Sequence, residues 1–212
     1  MTKRVFDIIF SSLGLIILSP LFVVIAMLIK TGPKGPVFYK GERIGKHGEI
    51  FKMFKFRTMI INKDRVQASA GNDPRITKTG KYLRRFKIDE FPQLINVFKG
   101  EMSLVGPRPE IPTRTEIFTP EEKNIILSVR PGLTDPASIW NINEDKTLLG
   151  ADDPEKVYLE KIRPIKTELQ LDYVKTQSFF KDIRIIIDTI FKILKPHNYT
   201  NTPHFTGKKK RS

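Results

Sequence analysis

Residues 87–110 read KIDEFPQLINVFKGEMSLVGPRPE, and everything else in the chain is best read outward from them. Asp89 and Glu90 form an acidic pair, and the apolar positions Leu94, Ile95, Val97 and Phe98 follow at helical spacing. Asp89 is expected to be the N-cap of that helix, with Pro92 tolerated in a first turn whose N–H groups lack intrahelical acceptors. Both carboxylates are then expected to sit at the positive helix end and to stay ionised there. The stretch ends in Pro107-Arg108-Pro109, where two prolines stiffen a turn around one arginine. Such a turn suits a fixed contact to a phosphate or a flat base.

The surroundings are cationic. The chain has 212 residues, a net charge of +14 and no cysteine. Its length fits one domain with a sizeable core. The absence of cysteine excludes disulfides and thiolate metal sites. The charge calls for a polyanionic partner: nucleic acid, anionic lipid or a phosphorylated small molecule. His47, His197 and His204 lack the spacing of a zinc site.

Upstream, Val5 to Ile29 is nearly all apolar and would reach about 38 Å as a straight helix, beyond the roughly 30 Å hydrocarbon core. Ser19-Pro20 lies inside it and predicts a break or kink, with the Ser19 hydroxyl meeting a freed carbonyl. Cations flank both ends: Lys3 and Arg4, then Lys30 and Lys34. Two readings stay open on these residues, a kinked spanning helix and a helix-break-helix hairpin that enters and leaves by one face. A cleavable signal peptide fits less well, because the run is long and the region around Pro20 is a poor cleavage site.

Val37 to Tyr39 and Ile50 to Phe56 predict a β-hairpin around a loop containing Gly41, Gly45 and Gly48. Alternation puts Lys55 and Arg57 on one face of the second strand, opposite Phe54 and Phe56. Asn62 to Asp73 reads as loop or weak helix. Asp73-Pro74-Arg75 marks a turn, and Thr77 is expected to cap a helix over Gly80 to Phe86 that brings Lys81, Arg84 and Arg85 toward the acidic pair. A further helix opens at Asp153-Pro154, with a kink expected at Pro164. The last helix, 179–194, confines Lys181, Arg184, Asp188 and Lys192 to a narrow stripe on an otherwise apolar surface, as an interfacial helix would. Residues 196–212 read as a basic disordered tail. The fold class is thus α+β: a small, mostly helical domain at 31–195 with a short hairpin, preceded by a membrane element at 1–30.

Taken together, these motifs resemble a bacterial sugar transferase of the monotopic phosphoglycosyl transferase family, in its minimal catalytic form. The resemblance rests on Lys3-Arg4 with Asp7, Ser19-Pro20, Gly35-Pro36-Val37-Phe38, Lys55-Phe56-Arg57-Thr58-Met59, Asp73-Pro74-Arg75-Ile76-Thr77, Asp89-Glu90, Met102 through Glu110, and Arg130-Pro131-Gly132-Leu133-Thr134. It implies transfer of a sugar phosphate from a UDP-sugar to a membrane polyprenol phosphate such as undecaprenyl phosphate, releasing UMP. It further implies a re-entrant helix, with Ser19 and Pro20 as the membrane break, on the cytoplasmic face of the bacterial inner membrane. Asp89 would be the nucleophile, Glu90 the Mg2+ ligand, and Lys55, Arg84 and Arg108 the phosphate or nucleotide contacts. Arg57 and Arg75 join the substrate-binding set, and Pro107 and Pro109 shape the uridine side. From the pattern alone, Glu90 reads equally as a first-turn carboxylate complementing a helix dipole.

The chain departs from the family pattern after Thr134. Many relatives continue there with Gly and an aromatic, whereas this chain has Asp135-Pro136-Ala137-Ser138-Ile139-Trp140-Asn141-Ile142-Asn143-Glu144. Trp140 reads as packing or as a sugar or base platform. The alternative function is a membrane-anchored basic module for nucleic acid or anionic lipid. It is disfavoured because an acidic pair interrupts the cations, so no nucleic-acid partner is expected. Homo-oligomerisation is left open.

Overall fold

A computed structural model describes residues 2–60, 73–141 and 154–194. The expected tail, most of the Asn62 to Asp73 segment and the Ile142 to Glu144 part of the divergent stretch lie outside the described residues.

The first element, α1 (Thr2–Lys30), is one continuous helix about 43 Å long. The expected break is therefore corrected: the backbone stays helical through Pro20. The reason is local. Pro20 cannot donate to the Ile16 carbonyl, and Ser19 Oγ donates to that same carbonyl at 2.8 Å instead.

α1 lies along the domain and is held at both ends. Near its start, Arg4 donates to the Val97 and Phe98 carbonyls at 2.6 and 2.7 Å, and Lys3 pairs with Asp182. Asp7 is buried and accepts from Ser103 Oγ and the Leu104 N–H at 3.1 and 3.0 Å. Near its end, Ile25 and Ile29 pack with Phe56 and Leu83, joined by Phe22 and Val37. The opposite face is bare, with Ile16 70 % and Ile17 64 % exposed.

The hairpin forms as expected. Strands β1 (Phe38–Ile44) and β2 (Ile50–Phe56) pair antiparallel from Phe38 with Phe56 to Ile44 with Ile50. Gly41, expected in the loop, lies within β1. Phe51 and Met53 face inward against Val97 and Met102. Lys55 continues their row, so it emerges at the end of a packed face.

Thr77 caps α2 (Lys78–Arg85), accepting from the Gly80 N–H at 2.9 Å. Lys87, at φ 55°, takes the left-handed conformation usual at a helix exit but rare for a residue with a side chain. It turns the chain into a single 3-10 turn, Ile88–Glu90, before α3 (Gln93–Lys99) begins. Asp89 is thus not the cap of α3; Pro92 occupies that position.

One buried side chain ties α3 to the hairpin. Asn96 Oδ1 accepts from the Phe54 N–H at 3.0 Å, and its Nδ2 donates to the Lys52 carbonyl at 2.8 Å. The amide stands where a third strand would pair, satisfying the free edge of β2 next to Lys55.

Short parallel strands β3 (Ser103–Val105) and β4 (Gly132–Thr134) then bring the 106–109 turn against residues 131–135. A Cβ on Gly106 would meet the Arg130 carbonyl oxygen at 2.4 Å, so only glycine allows this approach. After α4 (Pro120–Ile126) and α5 (Pro136–Trp140), the chain resumes with α6 (Pro154–Val157). A π-helical segment, Tyr158–Ile162, leads into α7 (Arg163–Thr176), and this is where the irregularity expected at Pro164 is absorbed.

Helix α8 (Phe179–Leu194) closes the fold. Asp182 and Ile185 are buried, while Phe180, Phe191 and Leu194 are exposed. Tyr173 of α7 donates to Asp182 at 2.6 Å and lies 3.3 Å from Lys3, so α1, α7 and α8 meet at one polar knot.

Candidate active site

Three elements converge on the acidic pair. The end of β2 supplies Lys55, the 3-10 turn after α2 supplies Asp89 and Glu90, and the turn after β3 supplies Arg108. Lys55 Nζ lies 2.7 Å from Glu90 Oε1. Arg108 engages both oxygens of Glu90, through Nη1 to Oε2 at 3.2 Å and through Nη2 to Oε1. Arg84 sits at the edge, its Nε donating to Thr58 Oγ1 at 2.9 Å.

The two carboxylates differ sharply although they are adjacent. Burial pushes Glu90 upward, but Arg108 and Lys55 outweigh it and hold the group well below the usual carboxylate range. Burial pushes Asp89 upward too, and the charge on Glu90 adds to it against weaker pulls from Lys55, Lys87 and Arg84. The pair is thus not levelled by a shared helix N-terminus: its two members are shifted in opposite directions. Its Oδ1 is buried and makes no hydrogen bond. The site therefore presents one anchored anion and one bare oxygen.

The donor set has room for a single-carboxylate metal foothold. Among the described residues no three Asp, Glu or His side chains gather as a cage. Mg2+ rarely uses one; it keeps waters and takes one or two carboxylates together with substrate phosphate oxygens. Glu90 beside the unsatisfied Asp89 oxygen fits that habit.

Two of the expected substrate-binding arginines are engaged elsewhere. Arg57 is 4 % exposed and donates to the Ile29, Pro33 and Lys34 carbonyls at 3.3, 2.7 and 2.9 Å. Strand β2 ends at Phe56, so the alternation that grouped Arg57 with Lys55 no longer applies; the guanidinium instead caps the exit of α1. Arg75 pairs within its own turn, with Nε 2.9 Å and Nη2 2.5 Å from the two Asp73 oxygens. That contact pulls the Asp73 carboxyl down to about 2.

Sequence reasoning missed two residues near the site. Burial and repulsion from Arg108 lower the Arg43 guanidinium, while Tyr39, Glu110 and Glu90 raise it, which places Arg43 within electrostatic reach of the cluster. Asp135 is fully buried and accepts from the Arg108 N–H at 3.2 Å. The Asp-Pro pair at 135–136 was the available signal, since Asp before Pro is a common helix start. Pro107 is buried and accepts from the Gly132 N–H at 3.0 Å, which fixes the near side of the turn. Pro109 on its far side is buried as well.

The chain matches the model of the bacterial sugar transferases over residues 1–196. It is 40 % identical over 196 residues to a UDP-glucose:undecaprenyl-phosphate glucose-1-phosphate transferase of Klebsiella pneumoniae, covering 90 % of this chain and 39 % of that protein. It is 37 % identical over 207 residues to the exopolysaccharide production protein ExoY of Rhizobium meliloti, covering 90 % of this chain and 84 % of the relative. An undecaprenyl-phosphate galactose phosphotransferase of Salmonella typhimurium is 33 % identical over 210 residues, covering 91 % of this chain and 40 % of that protein. The chain thus spans about two fifths of the length of two of these relatives. It belongs to the bacterial sugar transferase family.

Proposed function

We propose that the protein transfers a sugar phosphate from a UDP-sugar to undecaprenyl phosphate at the cytoplasmic membrane surface, through a covalent intermediate on Asp89. The observation that carries this reading is the contrast within the acidic pair: a bare, buried Asp89 oxygen beside a Glu90 held by Lys55 and Arg108.

A carboxylate approaching a diphosphate meets like charge, so cations must neutralise that charge where attack occurs. Lys55 and Arg108 are positioned to do so, with Arg84 and Arg43 at the margin. Asp89 Oδ1 attacks the sugar-bearing phosphorus; an Asp89 O–P bond forms, and the bridging O–P bond breaks with its electron pair leaving on UMP. A phosphate oxygen of the lipid then attacks the same phosphorus and releases Asp89 as carboxylate. Glu90 would hold Mg2+, which as a hard cation supplies charge neutralisation on the diphosphate oxygens. Pro107 and Pro109 keep Arg108 in one orientation on the nucleotide side.

The attachment of α1 supports a monotopic arrangement. Lys3, Arg4 and Asp7 at one end and Ile25 and Ile29 at the other dock on the same domain. A helix crossing the bilayer upright would draw the part of the domain packed on its middle into the hydrocarbon layer, since Leu94 of α3 lies against Gly14 beside the buried polar side chains Gln93 and Asn96, and polar groups at that depth are costly. Its bare face and the exposed apolar residues of α8 would instead lie in the leaflet. Because the chain has no cysteine, Thr2→Cys and Lys34→Cys can each be labelled alone. Both variants are expected to react with an impermeant maleimide from the cytoplasmic side only; reaction of the Thr2→Cys variant from the opposite side contradicts the arrangement.

The reaction itself is tested by UMP release from a panel of UDP-sugars, with undecaprenyl phosphate and Mg2+. Release with one donor, abolished in Asp89→Asn, is the expected result. Undiminished release in that variant overturns the role of Asp89.

A further inference from the structure

The chain carries an aspartate where its resemblance leads one to expect a glycine, and that aspartate touches the back of the Arg108 turn. Asp135 is fully buried. Its Oδ1 accepts from the Ser138 N–H at 2.7 Å, capping α5. Its Oδ2 accepts from the Arg108 N–H at 3.2 Å and from Gln170 Nε2 of α7 at 3.0 Å. Three N–H donors thus meet one carboxylate, and two of them come from elements far apart in sequence.

The location gives these contacts a consequence. Pro107 and Pro109 have no N–H, so the Arg108 N–H is the one backbone donor by which the Pro107-Arg108-Pro109 turn can be held. The guanidinium of the same residue reaches forward to Glu90. Arg108 is therefore fixed from behind through its backbone and faces the site with its side chain.

We propose that Asp135 is a positioning residue for Arg108, holding the turn so that the guanidinium meets the diphosphate of a nucleotide sugar. The proposal rests on the reading of Arg108 as a donor-binding residue. It assigns a function to the segment in which this chain departs from the family pattern. Gln170 shares the oxygen that holds Arg108 and ties α7 to the same carboxylate, a contact that serves the stability of the fold.

The chemistry of the three donors supplies a sharp variant. In Asp135→Asn the side-chain oxygen can keep the Ser138 cap, and Gln170 can rotate its amide to present oxygen to the new NH2 group. The Arg108 N–H cannot rotate, so it faces a donor and loses its partner. Gln170→Leu does the reverse, removing one donor and leaving the Arg108 contact in place.

The test is the affinity of the full-length detergent-solubilised chain for UDP with Mg2+, read by calorimetry beside the melting temperature. Asp135→Asn is expected to weaken UDP binding about tenfold, which corresponds to about 1.4 kcal/mol. Gln170→Leu is expected to lower the melting temperature and change UDP affinity less than about twofold on the same scale. In an Arg108→Ala background, Asp135→Asn is expected to add nothing, as for two residues acting through one contact. Equal losses of affinity in Asp135→Asn and Gln170→Leu, or an undiminished Asp135→Asn effect when Arg108 is absent, overturn the positioning role. Unchanged UDP affinity in Arg108→Ala alone overturns the donor-binding reading beneath it.

A measurement on the wild type guards against a variant that fails to fold. The Arg108 amide is expected to exchange slowly with deuterium, with or without UDP, because its acceptor is intramolecular. Exchange at the rate of an exposed turn overturns the proposal.

Discussion

Arg57 and Arg108 both stand in motifs that read as anion-binding, yet the fold uses them in opposite ways. Arg57 is buried and turns its guanidinium on three backbone carbonyls at the exit of α1. Arg108 is held through its backbone and turns its guanidinium on Glu90. The first joins the exit of α1 to the end of β2; the second joins the turn after β3 to the acidic pair. An arginine's charge says that it needs an anion or several carbonyls, and the end of the strand decides which it meets.

The sharpest way to break this comparison is to remove each side chain. Arg108→Ala is expected to lower kcat/KM for the UDP-sugar about a hundredfold, in the range for losing one charged contact in a transition state, with a small change in melting temperature. Arg57→Met is expected to do the reverse. Three carbonyls lose their donor, so stability falls by about 2–4 kcal/mol while activity per folded molecule stays near wild type. Denaturant unfolding beside steady-state kinetics separates the two, and a large kinetic effect in Arg57→Met would place it back among the substrate contacts.

Asn96 sharpens the comparison from the scaffold side. Asn96→Ala leaves the partly buried Phe54 N–H and Lys52 carbonyl without their side-chain partner, at an expected cost of about 1–2 kcal/mol. Because Lys55 follows directly, this variant is also expected to raise KM, which a stability effect alone would leave unchanged. The smallest effect belongs to Lys87. Glycine relieves its left-handed backbone, so Lys87→Gly is expected to gain about 0.5–1 kcal/mol in denaturant unfolding. A loss of stability there would mean that the Lys87 side chain contributes more than its backbone costs.

Locally encoded features were legible in the sequence. Alternation found the hairpin, Thr77 announced its helix, and the apolar pattern over 179–194 matched α8. Lys55, Asp89, Glu90 and Arg108 were all named before their proximity was visible, because each stands in a distinctive motif. What escaped notice depends on distant partners. The pairing of β3 with β4 joins two three-residue strands nearly thirty positions apart, too short for periodicity to show. Asp135 looked like a departure from pattern because its partners, Arg108 and Gln170, lie 27 and 35 positions away. The break expected at Pro20 illustrates the opposite error. The Ser19 hydroxyl does meet the freed carbonyl, as expected, but it does so within a helix that continues through Pro20 and not at a break.

The central claim is that Asp89 forms a bond to the phosphorus of the donor before any lipid is involved. With no undecaprenyl phosphate present, the enzyme should then exchange labelled UMP into the UDP-sugar, and Asp89→Asn should not. Exchange at the wild-type rate in that variant, or none in wild type that is active with lipid, would contradict the covalent route and favour direct attack by the lipid phosphate.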